Sequence, residues 1–252
     1  MIYLRIFILV LISINVYAKD TSIKALYSEN AIKGSILIES ADGKTKYQYN
    51  VDDNRRYIPA STFKIPNTLI ILEEGLLSNQ DQVIKWDGKQ RTYASWNQDQ
   101  TLASAFKYSC VWCYQVFSEK VGNDKYLSYL AKFHYGNRLT GDDITRFWLD
   151  GDIKISVKEQ INFLRKVYEE DLPVNNAHIK TLKNIMLSDE KQHYKIWSKT
   201  GWSGKDGWYV GYITTETNTW FFANHIEIDN NASLSLRKSL VIDVFKMLNI
   251  IK

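Results

Sequence analysis

Residues 57–69 read YIPASTFKIPNTL, so that Ser61 and Lys64 stand three residues apart between Pro59 and Pro66. An apolar run, Leu69-Ile70-Ile71-Leu72, follows directly. Proline is tolerated only in or near the first turn of a helix, so a helix containing Pro66 has to begin near Ser61. The expectation is a helix over Ser61–Glu74 with Ser61 and Lys64 on one face and the serine hydroxyl at the positive end of the dipole. A strongly hydrated lysine is out of place at the mouth of a buried helix. Serine at such a position also serves as an ordinary N-cap, and Ser-x-x-Lys is short enough to occur by chance.

Working outward from this stretch, "GSILIESADGKTKYQYN" reads as a hairpin whose turn lies at Ala41-Asp42-Gly43. Helical periodicity then dominates, with helices expected over Leu102–Val121, Asp124–Phe133, Val157–Glu170 with Ser156 as N-cap, and Ala177–Leu187. After Asp189 the pattern changes to three aromatic and β-branched runs, "HYKIWSKTG", "DGWYVGYITT" and "NTWFFANHIEI", before a last helix over Leu234–Asn249. Strands at both chain ends with helices between them define an α+β fold. An antiparallel sheet is built from both chain ends and flanked by terminal helices, with a helical lobe inserted. The mixed lobe is expected over about 19–57 and 188–252, the helical lobe over about 58–187, and a site in the cleft between them.

The N-terminus, "MIYLRIFILVLISINVYAKD", places Arg5 before an apolar stretch from Ile6 to Ile12, with Val16-Tyr17-Ala18 as an A-x-A-like cleavage site. This is the layout of a signal peptide over residues 1–18, too short in its apolar core for the roughly 20 residues a membrane span needs. The expected product is a periplasmic protein of residues 19–252, with no membrane attachment after cleavage. A net charge of +4, without a basic tract or low-complexity segment, argues against a nucleic-acid partner. The two cysteines, Cys110 and Cys113, fall in the apolar run "AFKYSCVWCYQVF". They form a C-x-x-C pair that an exported protein could oxidise, and the reading preferred here is a pair of free, buried small hydrophobes.

Two further elements reinforce Ser61 and Lys64. "KTG" at Lys199-Thr200-Gly201 closes an expected strand, offering a cation, a hydroxyl and a backbone that a ligand can approach. "SCV" at Ser109–Val111 supplies a second serine at an expected helix start. The order Ser-x-x-Lys, Ser-x-Val, Lys-Thr-Gly is that of the penicillin-recognising serine enzymes. The chain resembles the class D, oxacillinase-type serine β-lactamases in particular. The resemblance runs through "WNQDQTLASAFKYSCVWCYQ", "YGN" at Tyr135–Asn137, "FWLDGDIKIS" and "WSKTGWSG" to "LSLRKSL". Class A enzymes would show Ser-Asp-Asn and Glu-x-x-x-Asn, and Glu159, followed by Gln-Ile-Asn, has the wrong spacing for the latter.

The resemblance implies acyl transfer from a β-lactam to Ser61, with Lys64 carbamylated to N6-carboxylysine as general base and the Trp148 indole donating to it. It implies no metal and no cofactor beyond the carbon dioxide or bicarbonate that forms the carbamate. By the same resemblance, the backbone N–H groups of Ser61 and Trp202 form the oxyanion hole and Ser109 passes a proton to the lactam nitrogen. Lys199, Thr200, Gly201 and Arg237 bind substrate, as do Tyr135 and Asn137, and Val111 packs over the modified lysine. A penicillin-binding transpeptidase or carboxypeptidase, and a β-lactam sensor that acylates without fast turnover, share these motifs. The expected partner is a small-molecule β-lactam, and the chain is expected as a monomer or homodimer.

Overall fold

The computed structural model describes residues 19–228 and 231–252, so the signal-peptide reading of 1–18 lies outside the described residues. A six-stranded antiparallel sheet runs in the order β2-β1-β8-β7-β6-β5. Its strands are β1 (Gly34–Ser40), β2 (Lys46–Tyr49), β5 (Leu187–Glu190), β6 (Tyr194–Trp202), β7 (Asp206–Thr215) and β8 (Thr219–Glu227). The chain end that enters first, β1, pairs with the strand that leaves last, β8, in register Gly34↔Ile226 to Ser40↔Trp220. The expected hairpin forms as read, with the Asp42 carboxylate accepting from the Ser40 hydroxyl at 2.6 Å and the Lys44 amide at 3.1 Å.

β7 and β8 read as nearly unbroken apolar runs because both faces of the sheet are covered. On the outer face Ile36, Ile38, Ile196, Phe222 and Ile226 pack against helix α1 (19–29) and helix α8 (Leu236–Met247). Asn224 ties these three elements together: its Oδ1 accepts from Tyr27 Oη at 2.5 Å and its Nδ2 donates to Arg237 O at 2.9 Å. On the inner face Leu37, Trp208, Val210, Tyr212 and Phe221 meet the helical insertion. That insertion holds α2 (Lys64–Glu73), α3 (Leu102–Lys107), α4 (Val111–Val121), α5 (Asn123–Phe133), α6 (Val157–Glu169) and α7 (Asn176–Met186). A two-stranded ribbon of β3 (Val83–Ile84) and β4 (Gln100–Thr101) lies within it.

Four local expectations change. Ser61 does not open an α-helix or cap one; it lies in a 3-10 turn, Ala60–Phe63, and α2 begins at Lys64 with Pro66 in its first turn. The expected helix Leu102–Val121 is two helices, because Tyr108–Cys110 closes α3 in a Schellman-type end. The Cys110 amide donates to Ala105 O at 2.9 Å and Ser109 takes the left-handed φ of 55°. Serine rather than glycine at that position hides the break. The helix expected to end at Leu187 stops at Met186, and β5, short and polar, starts at once. Finally, Cys110 and Cys113 are not free: both are buried, and they are joined in a disulfide across the first turn of α4.

Gly211, at the centre of β7, has no room for a side chain, since a Cβ would lie 2.1 Å from Trp197 O and 2.9 Å from Ser198 Cα. Both atoms belong to the backbone of β6 and cannot rotate away. Gly211→Ala is therefore expected to destabilise the protein by about 2–3 kcal/mol, read as a lowered midpoint in denaturant unfolding. An unchanged midpoint would show that the β6–β7 pairing is looser than described.

Candidate active site

The site lies where the 3-10 turn, the α3–α4 junction and the end of β6 converge. In a 3-10 turn side chains at i and i+3 eclipse, so this geometry stacks Lys64 directly on Ser61. Lys64 Nζ stands 3.3 Å from Ser61 Oγ, and the side chain is 1% exposed. Burial first, and then the neighbouring Lys199 ammonium, pulls the Lys64 pKa well below the usual lysine range. Its Nζ also sits 4.8 Å above the Tyr114 ring, whose hydroxyl is engaged with Thr68 at 2.8 Å. Ala60, at φ 48°, is a second non-glycine residue in the left-handed region, directly before the serine.

Lys199 reaches in from β6. It is 4% exposed, and its Nζ donates to Ser109 Oγ at 2.5 Å and to Thr200 O at 3.0 Å. Burial, with the Arg237 charge second, pulls its pKa down to about 7. β5 pairs with β6 only as far as Leu187↔Trp197, so from Ser198 onward this β6 edge has no strand beside it among the described residues. Gly201 lets this edge press against the Ser61 turn, since a Cβ there would meet Pro59 O at 2.9 Å and Thr62 N at 3.2 Å. Arg237, from the start of α8, donates through Nη1 to Gly201 O at 2.7 Å and through Nε to Leu234 O at 2.8 Å. Burial pulls its pKa to about 10, so it remains charged at neutral pH.

Ser61, Ser109, Val111, Thr200, Gly201, Trp202 and Arg237 line one cavity of ≈ 260 Å³. Lys64 and Lys199 are not among its lining residues and reach it through Ser61 and Ser109, at 3.3 Å and 2.5 Å. Trp148 is fully buried, stacked on Phe63 at 5.8 Å, and its indole nitrogen is a buried donor with no acceptor among the described residues. A carbamate on Lys64 fits this chemistry: the amine is desolvated, and an unused donor stands in the same apolar core. Tyr135 and Asn137 are not among the lining residues. Tyr135 packs edge-on to Phe63 at 5.6 Å and Phe163 at 5.1 Å. Asn137 donates to Asp152 O at 2.7 Å and accepts from the Lys154 amide at 3.0 Å, bracing the segment that follows Trp148. Glu159, the misplaced carboxylate, forms a capping box with Ser156 and a salt bridge to Arg56 at 2.7 Å.

The cavity also has an aromatic and apolar wall that motif reading passed over: Tyr93, Trp96, Tyr108, Leu149 and Leu234. Tyr93 and Trp96 pack at 4.8 Å, and the Trp96 indole donates to Tyr108 O at 2.9 Å. The available signal was the aromatic pair Tyr93 and Trp96 in a stretch with no periodic pattern.

The model of the penicillin binding protein transpeptidase domain matches residues 22–246. Within that fold, the chain is 37% identical over 240 residues to β-lactamase OXA-48 of Klebsiella pneumoniae, covering 93% of this chain and 91% of that one. It is 40% identical over 207 residues to β-lactamase OXA-20 of Pseudomonas aeruginosa, covering 81% and 78%. The crystal structure of FUS-1 (OXA-85), a class D β-lactamase from Fusobacterium nucleatum subsp. polymorphum, superposes with a TM-score of 0.89 at 33% identity, covering 92% of this chain and 99% of that one. A class D β-lactamase from Sebaldella termitidis gives 0.88 at 37%, covering 92% and 97%. The chain belongs to the class D serine β-lactamases.

The buried amine of Lys199 has a stability consequence whose sign follows from its pKa. Folded near 7 and unfolded near the ordinary 10.5, it binds a proton in the unfolded chain alone between those values. Folding is therefore penalised most below pH 7 and progressively less as pH rises toward 10. Lys199→Met is expected to be more stable than the parent at pH 6, with the difference closing by about 1 kcal/mol per pH unit between pH 7 and 9. Parallel unfolding curves at all pH values would show that Lys199 stays charged in the folded protein.

Proposed function

We propose that this protein is an exported, periplasmic enzyme that hydrolyses β-lactam antibiotics through an acyl-enzyme on Ser61, with a carbamate on Lys64 as the general base. One observation carries the reading: a desolvated lysine lies 3.3 Å from the serine hydroxyl, in a site whose lining holds no Asp or Glu. A carboxylate on the Lys64 stem supplies the base that the described lining of this cavity does not. Trp148 is the residue that holds it.

The remaining residues divide the work. Ser61 Oγ attacks the lactam carbonyl carbon, and its proton passes to the base; the C–N bond then breaks as the ring opens. The backbone N–H groups of Ser61 and Trp202 stabilise the oxyanion, each worth roughly 3 kcal/mol by analogy with other acyl-transfer enzymes. Ser109, held by Lys199 Nζ at 2.5 Å, passes a proton to the departing nitrogen, which Lys199 is suited to replace with its pKa near 7. The N–H groups of Arg237 not spent on Gly201 O and Leu234 O, together with Thr200, receive the substrate carboxylate. Water then attacks the ester and frees Ser61. The Tyr93–Trp96 wall faces the acyl side chain.

Mixing with a chromogenic cephalosporin separates this reading from a sensor or transpeptidase: steady hydrolysis is expected, and a single burst without turnover would overturn it. Ser61→Ala should abolish hydrolysis with the fold intact, because Ser61 caps no helix. Arg237→Ala should raise KM about tenfold for substrates bearing a carboxylate, in line with loss of one charged hydrogen bond. The carbamate makes its own prediction. Activity should fall after acid exposure under carbon dioxide depletion and return with bicarbonate, more steeply in Trp148→Ala, with a carbon-13 carbamate signal after labelling. Indifference to bicarbonate in both forms, with no such signal, would leave Lys64 acting as a free amine.

A further inference from the structure

His225 belongs to an expected strand and to none of the site motifs, yet it sits at the centre of a buried cluster behind the site. It is fully buried in β8, directly across from Trp208 in β7. Its ring stacks on Tyr57 at 3.5 Å and 19°, and meets the Trp208 ring edge-on at 4.9 Å. Nε2 lies 2.9 Å from Asp206 Oδ1, while Nδ1 is buried without a partner among the described residues. That division assigns the tautomer: Nε2–H donates to the carboxylate and Nδ1 carries the lone pair. Burial lowers the histidine pKa against the opposing pull of Asp206 and Glu227, with Arg55 also lowering it, so the neutral form is the folded one.

Asp206 is the hinge of a second set of bonds. Its Oδ2 accepts from the Ser203 hydroxyl at 3.2 Å, its amide donates to Ser203 Oγ at 3.0 Å, and its carbonyl accepts from the Ser203 amide at 3.0 Å. The carboxylate therefore closes the four-residue turn that directly follows Trp202. On the opposite side of the imidazole, Tyr57 lies four residues before Ser61. The Trp208 indole, in the same cluster, donates to Ile58 O at 2.8 Å. The segment leading into Ser61 and the turn leading out of Trp202 thus rest on one small buried assembly, and these are the two residues whose N–H groups must be set against a single oxygen.

We propose that His225 and Asp206 are positioning residues for the oxyanion hole, holding the Ser61 and Trp202 backbone N–H groups in mutual register through the Tyr57 stack and the Ser203–Asp206 turn. The inference rests on the assignment of those two N–H groups made above. No covalent step is involved; the pair sets geometry, and misplacement of a reacting group by about 1 Å costs on the order of a hundredfold in rate.

The test uses the whole protein and two readouts that a merely structural role leaves alone: the single-turnover acylation rate, and the infrared band of the acyl-enzyme formed from a penicillin carrying carbon-13 at the lactam carbonyl. In the parent the ester band should lie at low wavenumber, the mark of a carbonyl gripped by two donors. A parent band at the position of an ungripped ester overturns the oxyanion-hole assignment, and the inference with it. His225→Leu should slow acylation about tenfold, less than outright removal of a donor at roughly a hundredfold or more, and shift the band upward. His225→Gln, whose amide N–H can still reach Asp206, should recover both. A lowered melting point in His225→Leu with rate and band unchanged overturns the inference while leaving the assignment standing. Should His225→Leu fail to fold, Ser203→Ala carries the test, since it cuts the turn from Asp206 Oδ2 at the surface; an unmoved band and rate there overturn the inference equally.

Discussion

The desolvation of one amine governs the rest of this molecule. An ammonium buried without an anionic partner costs several kcal/mol, and Lys64 is buried beside a second cation, Lys199, with no carboxylate in the lining. Burial, with the Lys199 charge second, holds the Lys64 pKa well below the usual lysine range, and burial, with the Arg237 charge second, brings Lys199 to about 7. The helical insertion exists in its present form to keep Lys64 dry: α2 carries the lysine, Tyr114 of α4 covers it with an aromatic face, and Trp148 closes the core around Phe63. The apolar contacts that offset the cost are spread over both faces of the sheet, far from the amine itself.

Two kinds of scaffold meet at the cleft. β6 to β8 form a rigid, doubly covered sheet that presents Lys199, Thr200 and Trp202 along an edge with no neighbouring strand among the described residues. The helical side presents Ser61 and Ser109 from short, irregular joints instead. Ala60 and Ser109 both occupy left-handed backbone at non-glycine residues, each costing on the order of 1–3 kcal/mol. Such conformations persist only where surrounding structure over-determines them. Here they aim two hydroxyls at one point.

The placement of the candidate site was legible in the sequence because its motifs hold particular side chains at short, ordered spacings: Ser61, Ser109 and Arg237 line one cavity, with Lys64 3.3 Å from Ser61 and Lys199 2.5 Å from Ser109. The sheet was legible because β7 and β8 are buried on both sides and so read as apolar runs. The break before α4 was not, since it is made by serine in a conformation that normally announces itself through glycine. β5 escaped because "LSDE" is short, polar and largely exposed. Tyr135 and Asn137 show a different limit: motif residues need not face the cavity, since Tyr135 packs in the core against Phe63 and the half-buried Asn137 braces the segment after Trp148. The cysteines show a third, because a buried thiol pair and a buried disulfide have the same composition. His225 acts only through residues distant in sequence.

The Cys110–Cys113 bond closes one of the shortest loops a chain can close, so its effect on the unfolded ensemble is small, about 2 kcal/mol by loop entropy. Its leverage is local. It clamps the first turn of α4 onto the residue that follows Ser109 and precedes Val111, where the Cys113 amide also donates weakly to Cys110 Sγ at 3.3 Å. A chain that completes its folding among oxidants therefore carries its second serine on a covalently sealed bracket, and one that completes it among reductants carries the same serine on a hinged one. Losing the bond therefore costs about 2 kcal/mol of global stability, visible in a melting curve, and with it the covalent part of the clamp beside Ser109.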